Sequence, residues 1–203
     1  MGGRTTIGPV TLAGRFARLE PLGWHHLDGL VATGLDPELY RWTVERLDSP
    51  AAMADAVGAA LAAAEAGREV PFATVEVATG RVVGATRFLN IEPAHRRAEI
   101  GGTRIGLAWQ RTPINTEAKY LMLRHAFEAW ALIRVEFKAD ALNARSRAAI
   151  ARLGAVEEGT LRHHRVAHGG RVGDSVYFAV IAPDWPAVRA GLEARLARPW
   201  PPA

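Results

Sequence analysis

Apolar positions in this chain recur with a period of two in some stretches and every three to four residues in others, and the switches between the two mark out its elements. The run Val10 to Leu22 predicts a first strand. From Trp24 to Trp42 the spacing turns helical, broken at Gly34 and Pro37. Ser49-Pro50 predicts a helix start, with Ser49 as N-cap and Pro50 first inside, opening an alanine-rich helix that ends near Gly67. Val70 to Val77 and Arg81 to Asn90 predict a hairpin across Ala78-Thr79-Gly80, where Gly80 is free to take a positive φ.

Arg97 to Leu107 predicts the next strand. Thr116 to Trp130 then puts Ala118, Leu121, Met122, Ala126 and Ala129 on one helical face. Ile133, Val135 and Phe137 alternate with Arg134, Glu136 and Lys138, the pattern of a half-buried strand. Asn143 to Leu153 predicts a short helix closed by Gly154. Val156 to Val166 and Val172 to Ile181 predict two strands joined through His168-Gly169-Gly170. Asp184 is placed to cap a last helix with Trp185, Val188, Leu192 and Leu196 on one face. Strands mixed with helices and joined by hairpins predict an α+β sheet rather than a doubly wound one.

Composition narrows the chemistry. Apolar residues make up 49% of the 203 residues, enough for a full core. Cysteine is absent, which excludes disulfides, a thiol nucleophile and a Cys-ligated metal, and fits a reducing cytoplasm. Met1 to Thr6 carries one basic residue with no apolar stretch behind it, so no secretory signal is expected, and no apolar run approaches the length of a membrane span. The formal charge is +4, and Lys119 and Lys138 are the only lysines; every other basic residue is arginine. The arginines are scattered rather than striped, which argues against a nucleic-acid surface. A ribosome- or RNA-associated binding module stays open as one alternative, motivated by the arginine excess itself.

One stretch concentrates candidate chemistry: Trp109-Gln110-Arg111-Thr112-Pro113-Ile114-Asn115-Thr116-Glu117-Ala118, between the strand ending near Leu107 and the following helix. A strand, a turn and a helix N-terminus present free backbone N–H groups to a phosphate. This order resembles the acetyl-CoA loop of the GNAT superfamily of N-acetyltransferases, Gln/Arg-x-x-Gly-x-Gly/Ala. Gln110 matches its first position, while Pro113 and Asn115 stand where Gly and Gly/Ala are expected. Thr116-Glu117-Ala118 matches the Thr-Glu-Ala of the branch related to RimJ and RimL. Read as a helix opening, Thr112-Pro113 gives up one donor and leaves those of Ile114, Asn115 and Thr116. The other reading is a plain capped helix without a ligand.

Further motifs follow in the order of that family. Asn143-Ala144-Arg145-Ser146 with Leu153-Gly154-Ala155 resembles its Asn-x-x-Ser…Leu-Gly-Phe/Ala signature, in which the asparagine contacts the pantetheine arm; by residue type alone Asn143 is an N-cap. Many members carry a tyrosine seven residues after this asparagine, where Ile150 stands here, which leaves Ser146 as the nearest hydroxyl. Glu99 in Ala98-Glu99-Ile100-Gly101 is a carboxylate inside a predicted central strand, so it needs a partner such as Arg96, Arg97 or Arg134, or a solvated cleft. Glu158-Gly159-Thr160-Leu161-Arg162 and Asp174-Ser175-Val176-Tyr177 resemble the family's Glu-Gly-x-x-Arg…Asp-x-x-x-Tyr/Phe ending; otherwise Asp174 holds a hairpin and Tyr177 is core. His163, His164 and His168 have no carboxylate at ligand spacing, so no metal is expected there. Trp42, with Tyr40 and Arg41, covers the acceptor side of the cleft in the resemblance and is otherwise core.

The resemblance implies a GNAT-like mixed, mostly antiparallel central sheet of about seven strands flanked by helices. One acyl-CoA N-acyltransferase domain would span residues 10–198, with tails at 1–9 and 199–203. The implied reaction is acetyl transfer from acetyl-CoA to a primary amine in a ternary complex in the cytoplasm, without metal; a homodimer is a family expectation. Cofactor contacts would come from Ile105, Gly106, Leu107, Gln110, Arg111, Thr112, Ile114, Asn115, Thr116, Asn143 and Ser146. Glu99 would be the base through water, and backbone N–H groups of Ile105 to Leu107 would hold the developing oxyanion. Ser146 or Tyr177 would protonate the thiolate, and Trp42, Glu99, Arg162 and Asp174 would meet the acceptor. The departures at Pro113, Asn115 and Ile150 leave a second alternative, a degenerate domain that binds acyl-CoA without turnover.

Overall fold

The computed structural model describes residues 7–200, so the N-terminal segment Met1 to Thr6 and the last three residues of the tail lie outside the described residues. Eight strands form one sheet in the order β1-β2-β3-β4-β5-β6-β8-β7. They are β1 (Leu12–Ala13), β2 (Ala17–Pro21), β3 (Val70–Glu76), β4 (Val82–Glu92), β5 (Arg97–Ile105), β6 (Arg134–Asp140), β7 (Val156–Val166) and β8 (Val172–Ile181). Five α-helices flank the sheet: α1 (Leu27–Gly34), α2 (Pro50–Glu65), α3 (Pro113–Arg124), α4 (Ala144–Ala151) and α5 (Trp185–Leu196).

Every strand pair is antiparallel except β5 with β6. That pair is parallel because the chain returns through α3, a crossover that a two-residue turn cannot make. It is also short. Arg97, Ala98 and Glu99 register with Arg134, Val135 and Glu136, and no further pair forms among the described residues. Beyond Glu99 the two strands part, β5 running on to Ile105 and β6 to Asp140, so the sheet opens into a wedge with unpaired backbone along its inner edges.

Several elements depart from the sequence reading. The expected first strand is two strands, because Gly14 to Phe16 turn back and their backbone is held by Glu117 from α3. This short β1 makes the sheet eight-stranded rather than about seven-stranded. The stretch Trp24 to Trp42 becomes α1 between two 3-10 turns, and Trp42 lies past them in the connection to α2. α3 begins at Pro113, before the Thr116 start of the periodic face but where the Thr112-Pro113 opening puts it, and passes into a π turn at His125–Ala129, which swings Ala129 out to solvent. Ile133 precedes β6 and is 43% exposed. Asp184 stands at the α5 N-cap without accepting a side-chain cap bond.

Ser49 does cap α2, accepting from the Ala52 N–H at 3.1 Å, with Pro50 first inside. Gly80 takes φ 70° in the β3–β4 turn. The main core packs α3 and α5 against one face of the sheet through Phe72, Phe88, Val135, Phe137, Leu121, Met122 and Leu192. On the opposite face α1 and α2 close a smaller cluster around Leu30, Met53 and Val57. α3 is thereby buried almost all round, which fixes its N-terminus at the foot of the wedge.

Candidate active site

The loop between β5 and α3 forms one end of the wedge. Leu107–Trp109 is a 3-10 turn, and the Gln110 side chain folds back so that Nε2 donates to the Ile105 carbonyl at 3.0 Å. Arg111 takes φ 65°, a left-handed conformation that turns the chain into the helix. Thr112 then caps α3, accepting from the Ile114 N–H at 3.4 Å, with Pro113 first inside. With Thr112 as N-cap, the Thr116 N–H makes the first intrahelical bond to the Thr112 carbonyl, so Thr116 is not one of the free donors assigned to it from sequence. The Ile114 N–H is taken by the Thr112 cap, so Asn115 remains as the first-turn donor at the positive end of the helix.

Asn115 carries an observation of its own. Its Oδ1 is buried and has no hydrogen-bond partner. A buried polar atom without a partner points to a missing one, and the amide can turn its N–H toward an anion. The first turn of α3 therefore offers an anion the Asn115 N–H and the unpartnered Asn115 side chain. Glu117 does not face that group. Its carboxylate is buried and accepts the N–H groups of Arg15, Phe16 and Ala17, with Arg15 at 2.9 Å and Ala17 at 2.7 Å.

Of the backbone donors expected from Ile105 to Leu107, one is spent and one leaves the strand. The Gly106 N–H bonds the Val83 carbonyl at 2.9 Å, and Leu107 lies in the 3-10 turn. Backbone N–H groups alternate sides along a strand. With Gly106 turned toward β4, Ile105 and Thr103 turn theirs into the wedge.

Glu99 lies at the point where β5 and β6 part and is only 3% exposed. Its partners are not the arginines expected from sequence. Oε2 accepts from Asn90 Nδ2 at 2.9 Å, and Lys138 Nζ stands 3.6 Å from Oε1. Arg97 and Arg134 pair with Glu136 instead, and Arg134 also with Glu158. Lys138 lies over the Tyr177 ring, 5.7 Å from its centroid, and is opposite Tyr177 in the β6–β8 register. The Tyr177 hydroxyl is 3.5 Å from His164 Nε2, and His164 Nδ1 is 3.0 Å from Ser175 Oγ. Glu99, Lys138, Tyr177 and His164 thus form a continuous polar row across one face of the wedge. Burial, with Glu99 and Glu136 adding to it, pushes the Tyr177 phenol above its ordinary value, so it keeps its proton at neutral pH.

Asn143 and Ser146 open α4 on the far side of the wedge. Asn143 Oδ1 accepts the Ser146 N–H at 3.0 Å, so Asn143 is an N-cap. Ile150 is buried core. Asp174 bridges the β7–β8 hairpin, Oδ1 accepting from the His163 N–H at 2.8 Å across a β7 bulge where His163 has φ 49°. It ties the hairpin. Arg162 is exposed on β7 beside His163. Trp42 is half-buried and not core: Arg41 and Arg171 lie over its ring at 5.0 and 5.3 Å, and its carbonyl accepts from Arg165 at 2.8 Å.

Buried Asp140 organises that contact. It pairs with Arg165 at 3.1 Å and with Arg171. Burial alone would raise the Asp140 carboxyl, but hydrogen bonds from Arg171, the Leu142 amide and Arg165 outweigh it and hold the group below the usual carboxylate range. The connection before α2 is also tied at Thr43, whose carbonyl accepts the His168 N–H at 3.0 Å, and at Glu45, 3.5 Å from Arg104 of β5. It therefore straps one arm of the wedge to the other.

Three polar side chains were not singled out as site candidates from sequence: Asn90 and Lys138, which meet Glu99, and the buried Lys119, which meets Thr103. The signal was compositional. In a chain that otherwise uses arginine, the only two lysines both sit at the wedge. A compact ammonium fits a confined site that the planar guanidinium fork does not. Among the described residues, Glu20, His25 and His26 bring possible metal-ligand atoms within 4.8 Å of one another. Both His26 nitrogens are engaged, Nδ1 with the Gly23 N–H and Nε2 with Glu20, so hydrogen bonds account for the group.

Comparison with known proteins gives the same architecture. The family description "Acetyltransferase (GNAT) domain" matches residues 17–156. A GCN5-related N-acetyltransferase from Brucella melitensis is 30% identical with a TM-score of 0.87, over 94% of this chain and 87% of that one. A candidate acetyltransferase from T. thermophilus is 37% identical with a TM-score of 0.85, over 94% and 99%. Mycobacterium smegmatis RimJ in complex with CoA-disulfide is 25% identical with a TM-score of 0.81, over 95% and 97%. No curated protein matches the sequence.

Proposed function

Because the chain belongs to the GNAT family of acetyltransferases, we propose that it is an N-acetyltransferase of the RimJ/RimL-like branch, acting in the cytoplasm on a primary amine. Residues 10–198 would form one catalytic unit, and the acceptor would be a protein N-terminal α-amine or a small-molecule amine. The likeness to RimJ across 95% of the chain and the Thr116-Glu117-Ala118 motif support the branch. Acetyl-CoA, with its phosphates at the first turn of α3 beside Asn115, would supply the activated acyl carbonyl and a thiolate leaving group.

The observation that carries the reading is the Glu99 carboxylate, buried at the divergence of β5 and β6. An amine attacks only when neutral, so the ammonium must lose a proton at this point. Glu99 accepts it, through water, and Lys138 gives way to the arriving cation on the same carboxylate. An α-amine, with a pKa near ~7.7–8, loses its proton more readily than a lysine near ~10.4. Tyr177, held protonated between Lys138 and His164 in the row, is the acid; Ser146 is the alternative from α4.

The test is a screen of amine classes with acetyl-CoA, reading free thiol. Turnover on at least one class is expected, and Glu99→Gln should lower kcat/KM by about 100-fold, within the range for a general base. Binding of acetyl-CoA without turnover on any amine would make this a binding domain instead. Unchanged kcat/KM across pH in Glu99→Gln would remove Glu99 as the base.

A further inference from the structure

Lys119 lies midway along α3, 4% exposed, and no carboxylate pairs with it among the described residues. Its Nζ donates to two hydroxyls, Thr86 Oγ1 at 2.6 Å and Thr103 Oγ1 at 2.7 Å. A buried ammonium served only by neutral oxygens is costly to keep. Its place in the sheet gives it a use. Ala85 pairs with Arg104 and Arg87 with Gly101, so Thr86 alone opposes both Gly102 and Thr103. This is a β-bulge, with Gly102 at φ 58°, and it lies where β5 has lost β6 as a neighbour. The bulge leaves Thr103 exposed on the wedge while its hydroxyl still reaches Lys119.

A hydroxyl has one proton and two lone pairs. Lys119 fills one lone pair of Thr103. Thr86 Oγ1 lies 3.0 Å from Thr103 Oγ1, where either hydroxyl can donate, and 3.3 Å from the Gly101 carbonyl; with Thr86 donating to Thr103, the second lone pair is filled. The Thr103 proton then has no acceptor inside the cluster and is directed to the open side. The Thr103 N–H turns the same way, by alternation from Gly106.

We propose that Lys119 and Thr86 orient the Thr103 hydroxyl as a donor into the wedge, where it hydrogen-bonds a carbonyl oxygen on the acylated arm of acetyl-CoA. The inference rests on the acetyl-CoA reading above. Thr103 touches the ligand; Lys119 acts through it and is a positioning residue.

Calorimetric Kd values for acetyl-CoA and for CoA, on the wild type and on Thr103→Val, Thr103→Ser and Lys119→Met, test it, with circular dichroism confirming that each is folded. Thr103→Val should weaken acetyl-CoA by about tenfold, the loss of one net hydrogen bond. Thr103→Ser should recover most of that loss, and Lys119→Met should reproduce part of it with Thr103 intact. A loss confined to acetyl-CoA assigns the donor to the acyl carbonyl; an equal loss for CoA assigns it to an amide carbonyl of the arm. The proposal is overturned if Thr103→Val binds both ligands like the wild type, or if Thr103→Ser is as weak as Thr103→Val. A wild type that binds neither ligand refutes the acetyl-CoA reading itself.

Discussion

Lys119 shows what a single side chain contributes beyond its burial. Burial lowers its pKa to about 7, against about 10.4 in an unfolded chain. Between those values the unfolded chain binds more protons than the folded one, so stability rises as pH increases from about 7 to about 10. The slope from one such group is at most about 1.4 kcal/mol per pH unit. Lys119→Met removes the titration. Urea unfolding of both proteins across this range should show a rise in the wild type that is missing from the variant; parallel curves would mean that Lys119 stays charged in the fold.

Between elements, the decisive tie runs from α3 to the β1–β2 turn. The Glu117 carboxylate takes three successive backbone N–H groups, those of Arg15, Phe16 and Ala17, across about a hundred residues of sequence. A Cβ at Gly14 would meet this carboxylate within 3 Å, so the turn is shaped around it. Glu117→Ala leaves those donors without a partner. It should cost about 3 kcal/mol, the upper end for unsatisfied buried groups, read as a lower urea midpoint. Acetyl-CoA affinity should change little if α3 keeps its N-terminus. Within the Thr-Glu-Ala motif the glutamate thus serves the fold, its carboxylate turned to the β1–β2 turn.

Across the whole molecule, the wedge is held to shape by the strap before α2. Asp140 fixes Arg165 and Arg171, these hold Trp42, and Glu45 reaches Arg104 on the opposite arm. Asp140→Asn leaves two arginines without their anion. The cost should be about 3 kcal/mol, the low end for a broken buried pair because both arginines keep some solvent. In turnover assays the acceptor KM should rise while acetyl-CoA affinity holds, because the proposed function puts the acceptor beside the strap and the phosphates at α3. Equal losses in both would place the strap's effect on the wedge as a whole.

The sequence alone determined what depends on local chemistry. Period and turn residues placed most strands and helices, and Ser49-Pro50 and Thr112-Pro113 gave the starts of α2 and α3, because a cap is satisfied within a few residues. The order of motifs also identified the family, which is a pattern along the chain. Tertiary structure decided every question of partnership. Glu99 met Lys138 and Asn90 rather than an arginine nearby in sequence, since the short β5–β6 pairing fixes which side chains share the wedge. Gly106 lost its donor to Val83, Asp174 and Glu117 became ties, and the two lysines gained neighbours from other elements. Strand register, bulges and burial set those distances, and all three depend on packing between segments far apart in the chain.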